Sequence, residues 1–146
     1  MDIKEYDKIF VTGIFAAGKT HFSKLTKPVT HTYISFDHNY SYQTLDLTRI
    51  YELMNEHPKF IMDALPQGND PLDRFKDYYS KHNCCIVMLK CDPVVWLERL
   101  KSKEWYNESQ LNTYRKNYLD FYNTRTGWAE IFDNFFIYDS GKEIWL

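Results

Sequence analysis

Short apolar runs alternate along the chain with longer stretches in which apolar positions recur at helical spacing. The run from Cys84 to Lys90 is continuously apolar at its centre, which is typical of parallel strands that are covered on both faces. The pattern predicts five strands, at Lys8 to Thr12, Thr32 to Phe36, Lys59 to Met62, Cys84 to Lys90 and Asn134 to Tyr138. Strands separated by helices in this way favour an α/β fold, a three-layer α/β/α sandwich around a five-stranded parallel sheet.

Capping residues mark the beginnings of two of the predicted helices. Asp70-Pro71 and Asp92-Pro93 each place a carboxylate at the capping position and a proline at the first helical position. Two further helices are predicted by apolar periodicity, one from Ser41 to Glu56 and a longer one from Glu108 to Thr126. The helices are therefore distributed between the strands, as the α/β architecture requires.

Composition indicates one globular domain, which we expect to span residues 1–146. Hydrophobic residues make up 44% of the chain and charged residues 26%, so a real core can form. Aromatic residues reach 18%; most are expected to pack at the rim of the core, and some could stack on a ring-shaped ligand. The formal charge of −2 provides no overall positive field for nucleic acid or an anionic membrane, so a polyanion would have to be held locally.

The cysteine pattern and the absence of long apolar segments predict a cytoplasmic protein. Three cysteines, Cys84, Cys85 and Cys91, fall in one apolar stretch and form neither a disulfide framework nor a zinc spacing. The first eight residues are charged rather than apolar, and no run of about eighteen apolar residues occurs. We expect no membrane partner, and we expect the chain to act as a monomer.

One motif carries a specific chemical prediction. The segment after the first strand matches G-x-x-x-x-G-K-[ST], the phosphate-binding loop of nucleoside triphosphate-binding proteins, and a helix is expected to follow it. Backbone N–H groups of such a loop and the positive end of the helix surround phosphates. We expect ATP as the ligand, with Lys19 on the β- and γ-phosphates and the Thr20 hydroxyl in the shell of Mg²⁺. The loop comprises Gly13, Ile14, Phe15, Ala16, Ala17, Gly18, Lys19 and Thr20.

Several classes of phosphate-loop protein are disfavoured. The guanine-reading N-K-x-D sequence of GTPases is absent, and so is a D-x-x-G switch after the third strand. A chain of 146 residues also lacks room for the additional strands and subdomains of helicases, motors or transporter ATPases. A compact kinase, a phosphotransferase acting on an alcohol group, is the remaining prediction.

The order of elements, the phosphate-binding loop and three further landmarks resemble the small P-loop kinases related to polynucleotide kinase, over nearly the whole chain. The resemblance implies a strand order of 2-3-1-4-5. It also implies that Asp37, in Ile34-Ser35-Phe36-Asp37, accepts the proton of the attacking hydroxyl, and that Asp63, in Phe60-Ile61-Met62-Asp63, orients Mg²⁺. The alternatives are a turn or capping aspartate at Asp37 and a carboxylate that only orders its own loop at Asp63.

The third landmark is the run from Asp92 to Lys103, which resembles the segment leading into the lid of these kinases. Arg99 matches the family pattern, whereas Lys103 stands where an arginine is usual and lacks the planar guanidinium. The resemblance implies that both are catalytic and that a short helical lid spans about residues 99–116, although the basic residues there could also form a solvated helix face. Near the end of the chain, it implies adenine contacts by Ser140 and Gly141.

The acceptor of the phosphate is the least determined part of the prediction. The segment after Asp37 is expected to form the acceptor wall. A nucleic-acid hydroxyl is the leading expectation, because the two tyrosines there could stack on bases. However, Tyr40 replaces the arginine usual in polynucleotide kinases, and phage relatives phosphorylate a hydroxymethylated base in DNA. A small-molecule or nucleotide kinase and a non-catalytic ATP-binding module stay open. The expected acceptor residues are Asp37, His38, Asn39, Tyr40, Tyr42 and Arg49.

Overall fold

A computed structural model describes residues 2–35, 47–66 and 72–146. Its strands are β1 Lys8–Thr12, β2 Thr32–Ile34, β3 Phe60–Met62, β4 Cys84–Lys90, β5 Phe135–Asp139 and β6 Ile144–Trp145. Its α-helices are α1 Lys19–Thr26, α2 Thr48–Glu56, α3 Leu72–Lys81, α4 Pro93–Lys101 and α5 Leu111–Arg125. Short 3-10 helices lie at Ile3–Glu5, Glu108–Gln110 and Thr126–Glu130.

The strands form one sheet in the order β2-β3-β1-β4-β5-β6. The first five are parallel to their neighbours, which confirms the predicted α/β architecture and the 2-3-1-4-5 order. The prediction of five strands was one short, because β6 pairs antiparallel with β5. Only Ile144 and Trp145 form this strand, and two residues are too few to produce a recognisable period.

Alternate side chains of the central strands enter two separate layers of the core. Phe10 and Ile86 face the layer that contains α2 and α3, whereas Ile9 and Val87 face the layer that contains α1, α4 and α5. This division follows from the period of two along a strand. Both faces of the sheet are therefore covered by helices, which explains why Ile9 to Val11 in β1 and Cys84 to Leu89 in β4 are continuously apolar.

The helix predictions are met where the structure describes them. Asp92 begins α4 as expected, since its Oδ1 accepts from the backbone N–H of Val94 at 2.9 Å. The predicted helix from Glu108 becomes a 3-10 turn followed by α5. The Asp70-Pro71 start lies outside the described residues, as does the first part of the helix expected from Ser41. No helix in the described part of the chain is long and apolar enough to span a membrane.

The carboxyl ends of the parallel strands lie along one edge of the sheet, where α/β proteins bind their ligands. Gly13 follows β1 there, Asp63 follows β3, and Ser140 follows β5. Residues that are far apart in sequence are thus brought to one side of the molecule. The candidate functional site is built on this edge.

Candidate functional site

The loop between β1 and α1 has the backbone conformation of a tight turn. Gly18 has φ of 96°, a left-handed conformation that glycine adopts without the penalty a Cβ would bring. Ala16 also lies in the left-handed region, at φ 64°, which is uncommon for a residue with a side chain. The backbone N–H of Ala17 donates to the carbonyl oxygen of Ile14 at 3.1 Å. Strained conformations of this kind persist where the surroundings enforce them, often at ligand sites.

Lys19 begins α1 directly after this turn. Its Nζ donates to the carbonyl oxygen of Gly13 at 2.8 Å, so the side chain folds back over the loop. The side chain is half-buried, and the residue lines the cleft above the loop. A flexible ammonium in this position can bind an anion in the loop without a change of the backbone.

Thr20, Asp63 and Tyr33 bring three oxygen atoms together beside the loop. The Asp63 carboxylate is buried, 5% exposed, and its Oδ2 accepts from Thr20 Oγ1 at 3.3 Å. The phenol of Tyr33 also donates to Asp63 Oδ2. Hydroxyl and carboxylate oxygens are hard ligands of the kind that Mg²⁺ prefers, so Thr20 and Asp63 fit a magnesium ion that is shared with a nucleotide.

The environment of Tyr33 keeps its phenol protonated. Burial, followed by the hydrogen bond and the charge of Asp63, raises the pKa of Tyr33 from 10.0 to about 12. The phenol is therefore a hydrogen-bond donor at neutral pH. In the part of the chain that the structure describes, no group of three or more His, Cys, Asp or Glu side chains could hold a metal ion.

An open cleft of about 700 Å³ lies over the loop. Its charged lining is mostly basic, with Lys19, Lys24 and Lys103 opposed by Asp63. The volume is in the usual range of small-molecule sites. The lining consists of Phe15, Ala16, Ala17, Gly18, Lys19, Thr20, His21, Lys24, Asp63, Ala64, Lys103 and Trp105.

A second pocket of about 260 Å³ adjoins the cleft on the other side of Gly18. Apolar side chains from α1 and β5, including Phe22 and Tyr138, form part of its wall. Polar groups are contributed by Ser140 and by Glu143, whose carboxylate lies 3.8 Å from His21 Nε2. A flat apolar wall with a few polar groups suits the base of a nucleotide whose phosphates lie in the loop.

Arg99 lies between the loop and this second pocket. Its Nη1 donates to the carbonyl oxygen of Ala17 at 3.0 Å, and its Nη2 donates to the carbonyl oxygen of Ser140 at 2.8 Å. A Cβ added at Gly18 would stand 3.3 Å from the same Nη1. The guanidinium therefore connects α4, the loop and the end of β5, and it lines the pocket together with Lys103.

Aromatic side chains connect the loop to the expected lid. The carbonyl oxygen of Phe15 accepts from Trp96 Nε1 at 2.8 Å, and the Phe15 ring lies 5.9 Å from the ring of Trp105 and 5.9 Å from that of Tyr114. Trp105 is 54% exposed although it contacts the loop. Part of the high aromatic content is thus concentrated at this junction.

Among the described residues, the structure places most of the predicted site residues together, with two exceptions. Arg49 lies on the exposed face of α2, where its Nη1 is 4.0 Å from Glu52. Gly141 donates its N–H to Asp139 Oδ1 at 2.9 Å and is exposed beside Ser140. The acceptor residues Asp37, His38, Asn39, Tyr40 and Tyr42 lie outside the described residues.

Several contributors to the site were not predicted from the sequence, among them Tyr33, Trp96 and His21. Tyr33, on β2, donates to Asp63 at the end of the neighbouring strand β3. Trp96 donates to the loop from α4, and His21 lines both pockets from α1. The aromatic composition was the only signal for the first two. His21 could have been found as the residue directly after the G-K-T sequence, in the first turn of the helix.

Solved structures with a similar fold exist, although no protein-family model and no curated protein sequence matches the chain. A shikimate kinase from Bacteroides thetaiotaomicron superposes with a TM-score of 0.60 at 15% identity, covering 91% of this chain and 86% of that one. A gluconokinase from Sinorhizobium meliloti superposes with a TM-score of 0.59 at 16% identity, covering 91% of this chain and 82% of that one. The chain has the fold of these kinases. At this level of identity the similarity concerns the architecture and does not extend to the residues of the site.

Proposed function

We propose that this protein is a kinase that transfers the γ-phosphate of ATP to a hydroxyl group of a small molecule. The observation that carries the proposal is the arrangement at the end of β1, where the strained loop, Lys19 and the Thr20–Asp63 pair lie in one cleft. The two kinases of similar fold support the same class of reaction.

The proposal assigns one role to each part of the cleft. The loop N–H groups and Lys19 bind the β- and γ-phosphates, and the adjoining pocket beside Ser140 holds the base. Thr20 and Asp63 would hold Mg²⁺, which supplies positive charge next to the phosphates. Lys103 and Arg99 place further positive charge beside the loop, where charge develops as the phosphoryl group leaves.

A small acceptor is favoured over the nucleic acid that the sequence resemblance placed first. Both kinases of similar fold are named for small hydroxylated molecules, and neither is named for nucleic acid. The formal charge of the chain is −2, which provides no overall positive field for nucleic acid, and Lys19, Lys24 and Lys103 line the phosphate cleft. Membership of the polynucleotide-kinase-like group and a DNA-modifying role therefore lack support beyond the sequence resemblance.

A transfer assay with γ-labelled ATP tests the proposal. The protein is incubated with Mg²⁺ and with separate panels of hydroxylated acids, sugars, nucleosides, oligonucleotides and hydroxymethylated DNA. We expect label to appear on a member of the small-molecule panels. Label confined to oligonucleotides would instead support the polynucleotide-kinase resemblance, and ATP binding without transfer to any panel would support the non-catalytic alternative.

A Lys19→Ala variant is the matched control for the assay. The side chain is half-buried at a helix start and lines an open cleft, so the fold should survive its removal. Transfer should be abolished, while the circular dichroism spectrum and the unfolding midpoint stay close to those of the wild type. Transfer by this variant at the wild-type rate would show that the labelled product does not arise in this cleft.

A further inference from the structure

Three parts of the chain that are distant in sequence supply the hydroxyls and the carboxylate beside the loop. Asp63 Oδ2 accepts hydrogen bonds from Thr20 Oγ1, at 3.3 Å, and from the phenol of Tyr33. Thr20 belongs to the loop motif, and Asp63 was singled out as a metal-orienting carboxylate. Tyr33 lies outside the loop motif and was not predicted to act at the metal, and the proposed function assigns it no role.

The sheet itself brings Tyr33 to this position. In the parallel register of β2 and β3, Tyr33 is the partner of Ile61. Asp63 lies two residues after Ile61, and side chains two apart on a strand point to the same face. Tyr33 and Ile61 face the core layer that contains α1, whose first turn carries Thr20. The phenol therefore meets the carboxylate because of strand pairing and not by a chance surface contact.

The hydrogen bonds of Asp63 constrain the orientation of a buried carboxylate. A carboxylate that is 5% exposed is costly unless hydrogen-bond donors surround it. The Thr20 hydroxyl can donate its single proton to Asp63 and still offer lone pairs to a cation. The phenol of Tyr33, on the β2 side, supplies a second donor to the same oxygen. It can hold that oxygen in place whether or not a cation is bound.

We propose that Tyr33 is a positioning residue that orients the Asp63 carboxylate toward the Mg²⁺ accompanying the nucleotide. This inference rests on the proposed function, since it assumes that Thr20 and Asp63 form the metal side of the nucleotide site. Hydrogen-bond partners of metal-binding carboxylates typically change metal affinity by about 10-fold to 100-fold when they are removed. Tyr33 should therefore affect the Mg²⁺-dependent part of nucleotide binding and leave the metal-free part unchanged.

Isothermal titration of the full-length protein with a non-hydrolysable ATP analogue tests the inference without reliance on turnover. The dissociation constant is measured in EDTA and again in saturating Mg²⁺, and the ratio of the two gives the contribution of the metal. We expect Tyr33→Phe to bind the analogue like the wild type in EDTA and to lower the ratio about tenfold. An unchanged ratio in Tyr33→Phe would overturn the inference and leave the proposed function standing.

Tyr79→Phe is the matched control variant. Tyr79 is buried, and its phenol donates to the backbone carbonyl of Asp133 on the opposite face of the sheet. The ratio should be unchanged in this variant, and an equal fall in both variants would overturn the inference by showing general loosening. If the wild-type protein bound the analogue equally tightly in EDTA and in Mg²⁺, the metal roles of Tyr33 and Asp63 would both be overturned. A wild-type protein that does not bind the analogue would overturn the proposed function as well.

A double-mutant cycle shows whether Tyr33 acts through Asp63. In the Asp63→Asn background, Tyr33→Phe should cause no further change in the ratio, because the carboxylate that it orients is gone. Independent, multiplicative effects of the two substitutions would overturn the positioning role. Unfolding midpoints of all four proteins accompany the titrations, so that a loss of folded protein is not mistaken for weaker binding.

Discussion

Arg99 and Ala17 are joined by a hydrogen bond of 3.0 Å from Nη1 of the guanidinium to the backbone carbonyl oxygen. This bond links the last turns of α4 to the phosphate-binding loop. The other terminal nitrogen of the same guanidinium, Nη2, donates to the carbonyl oxygen of Ser140 at 2.8 Å. One side chain therefore fixes the relative positions of the loop and the adjoining pocket, the two regions that the proposal assigns to phosphate and base.

Replacement of Arg99 tests how this link contributes to nucleotide binding. Arg99→Ala should weaken ATP binding by about tenfold or more, because the loop and the adjoining pocket lose the hydrogen bonds that hold them together. Hydrogen bonds from a charged donor each contribute about 1.5–3 kcal/mol to stability. Arg99→Lys should not restore the affinity, because one ammonium cannot reproduce the planar two-sided contact. Calorimetric titration measures both effects. The exposed neighbour Lys101 provides the control, and Lys101→Ala should bind ATP normally.

The kinetic constants of Arg99→Ala distinguish two roles. A rise in KM for ATP with little change in kcat would fit the contacts to Ala17 and Ser140. A fall of roughly a hundredfold in kcat at saturating ATP, with affinity unchanged, would place the guanidinium on the transferred phosphoryl group, as the resemblance of the lid implies. Wild-type values for both constants would reduce Arg99 to a structural residue.

A second connection between α4 and the loop is the hydrogen bond from Trp96 to the carbonyl oxygen of Phe15. Trp96→Phe keeps an aromatic ring but removes the N–H that donates to the carbonyl oxygen of Phe15. Because Trp96 is only 2% exposed, the smaller ring also leaves a cavity in the core. We expect a loss of about 2–3 kcal/mol in the free energy of unfolding, from the lost hydrogen bond and the cavity together. Denaturant titration measures this loss, and ATP affinity should fall as well because the loop is less constrained.

Trp128 is the matched control for Trp96. It is also buried, but it packs in the core layer on the opposite face of the sheet. Trp128→Phe should lower the free energy of unfolding to a similar extent without altering ATP affinity. Equal losses of ATP affinity in both variants would mean that general stability, and not the contact with Phe15, determines the state of the loop.

The central strands could be predicted from sequence because both of their faces are buried. Cys84–Lys90 was located to the residue, since every side chain up to Leu89 is buried and the run is continuously apolar. The second strand, predicted from Thr32 to Phe36, ends at Ile34 in the described chain, where Thr32 is exposed, and Phe36 lies outside the described residues. β6 escaped detection because the pairing of Ile144 and Trp145 with β5 depends on a tight turn and not on a local period.

The candidate site was predictable only as far as it is local in sequence. The loop from Gly13 to Thr20 is one continuous segment, so its motif could be recognised from its own residues. Tyr33 is 30 positions from Asp63, and their contact depends on the register of two neighbouring strands. The pocket beside Ser140 likewise needs α1 and the β5–β6 turn to be packed together. Such juxtapositions are properties of the folded chain.

Stability at alkaline pH should reveal the buried thiol of Cys84. Burial raises the pKa of Cys84 from 9.0 to about 12, although the nearby Lys8 opposes the shift. A group whose pKa is raised in the folded state contributes stability that is fully present below its unfolded pKa. That stability is lost as the pH rises through the folded value. The free energy of unfolding should therefore fall between about pH 9 and pH 12.

Urea titrations at a series of pH values measure this fall. Cys84→Ala should reduce the slope of unfolding free energy against pH in that window, because the unfolded variant no longer gains a thiolate. Half-buried Tyr33, whose pKa is raised to about 12, should preserve a smaller slope above pH 10.0. A variant with the same slope as the wild type throughout would contradict the assignment to Cys84.

Asp37 is expected to act in the transfer step itself. The residue follows Ile34, the end of β2, by three positions, and the carboxyl end of β2 lies at the same edge of the sheet as Asp63. Asp37→Asn keeps the size and hydrogen-bonding capacity of the side chain but cannot accept a proton. We expect this variant to bind ATP normally and to lose transfer to the hydroxyl by at least about a hundredfold, the usual contribution of general base catalysis.

The measurements that accompany Asp37→Asn separate three roles for the carboxylate. Normal ATP affinity with slow residual hydrolysis by water would fit a base that serves the acceptor hydroxyl. A collapse of ATP affinity with transfer preserved at saturation would instead assign Asp37 to the metal shell, and the base would then have to be sought at Asp63 or His38. If affinity and transfer both matched the wild type, Asp37 would be a capping residue. The proposed transfer to a hydroxyl would then lack the base predicted for it, whereas a phosphate acceptor needs no carboxylate to remove its proton.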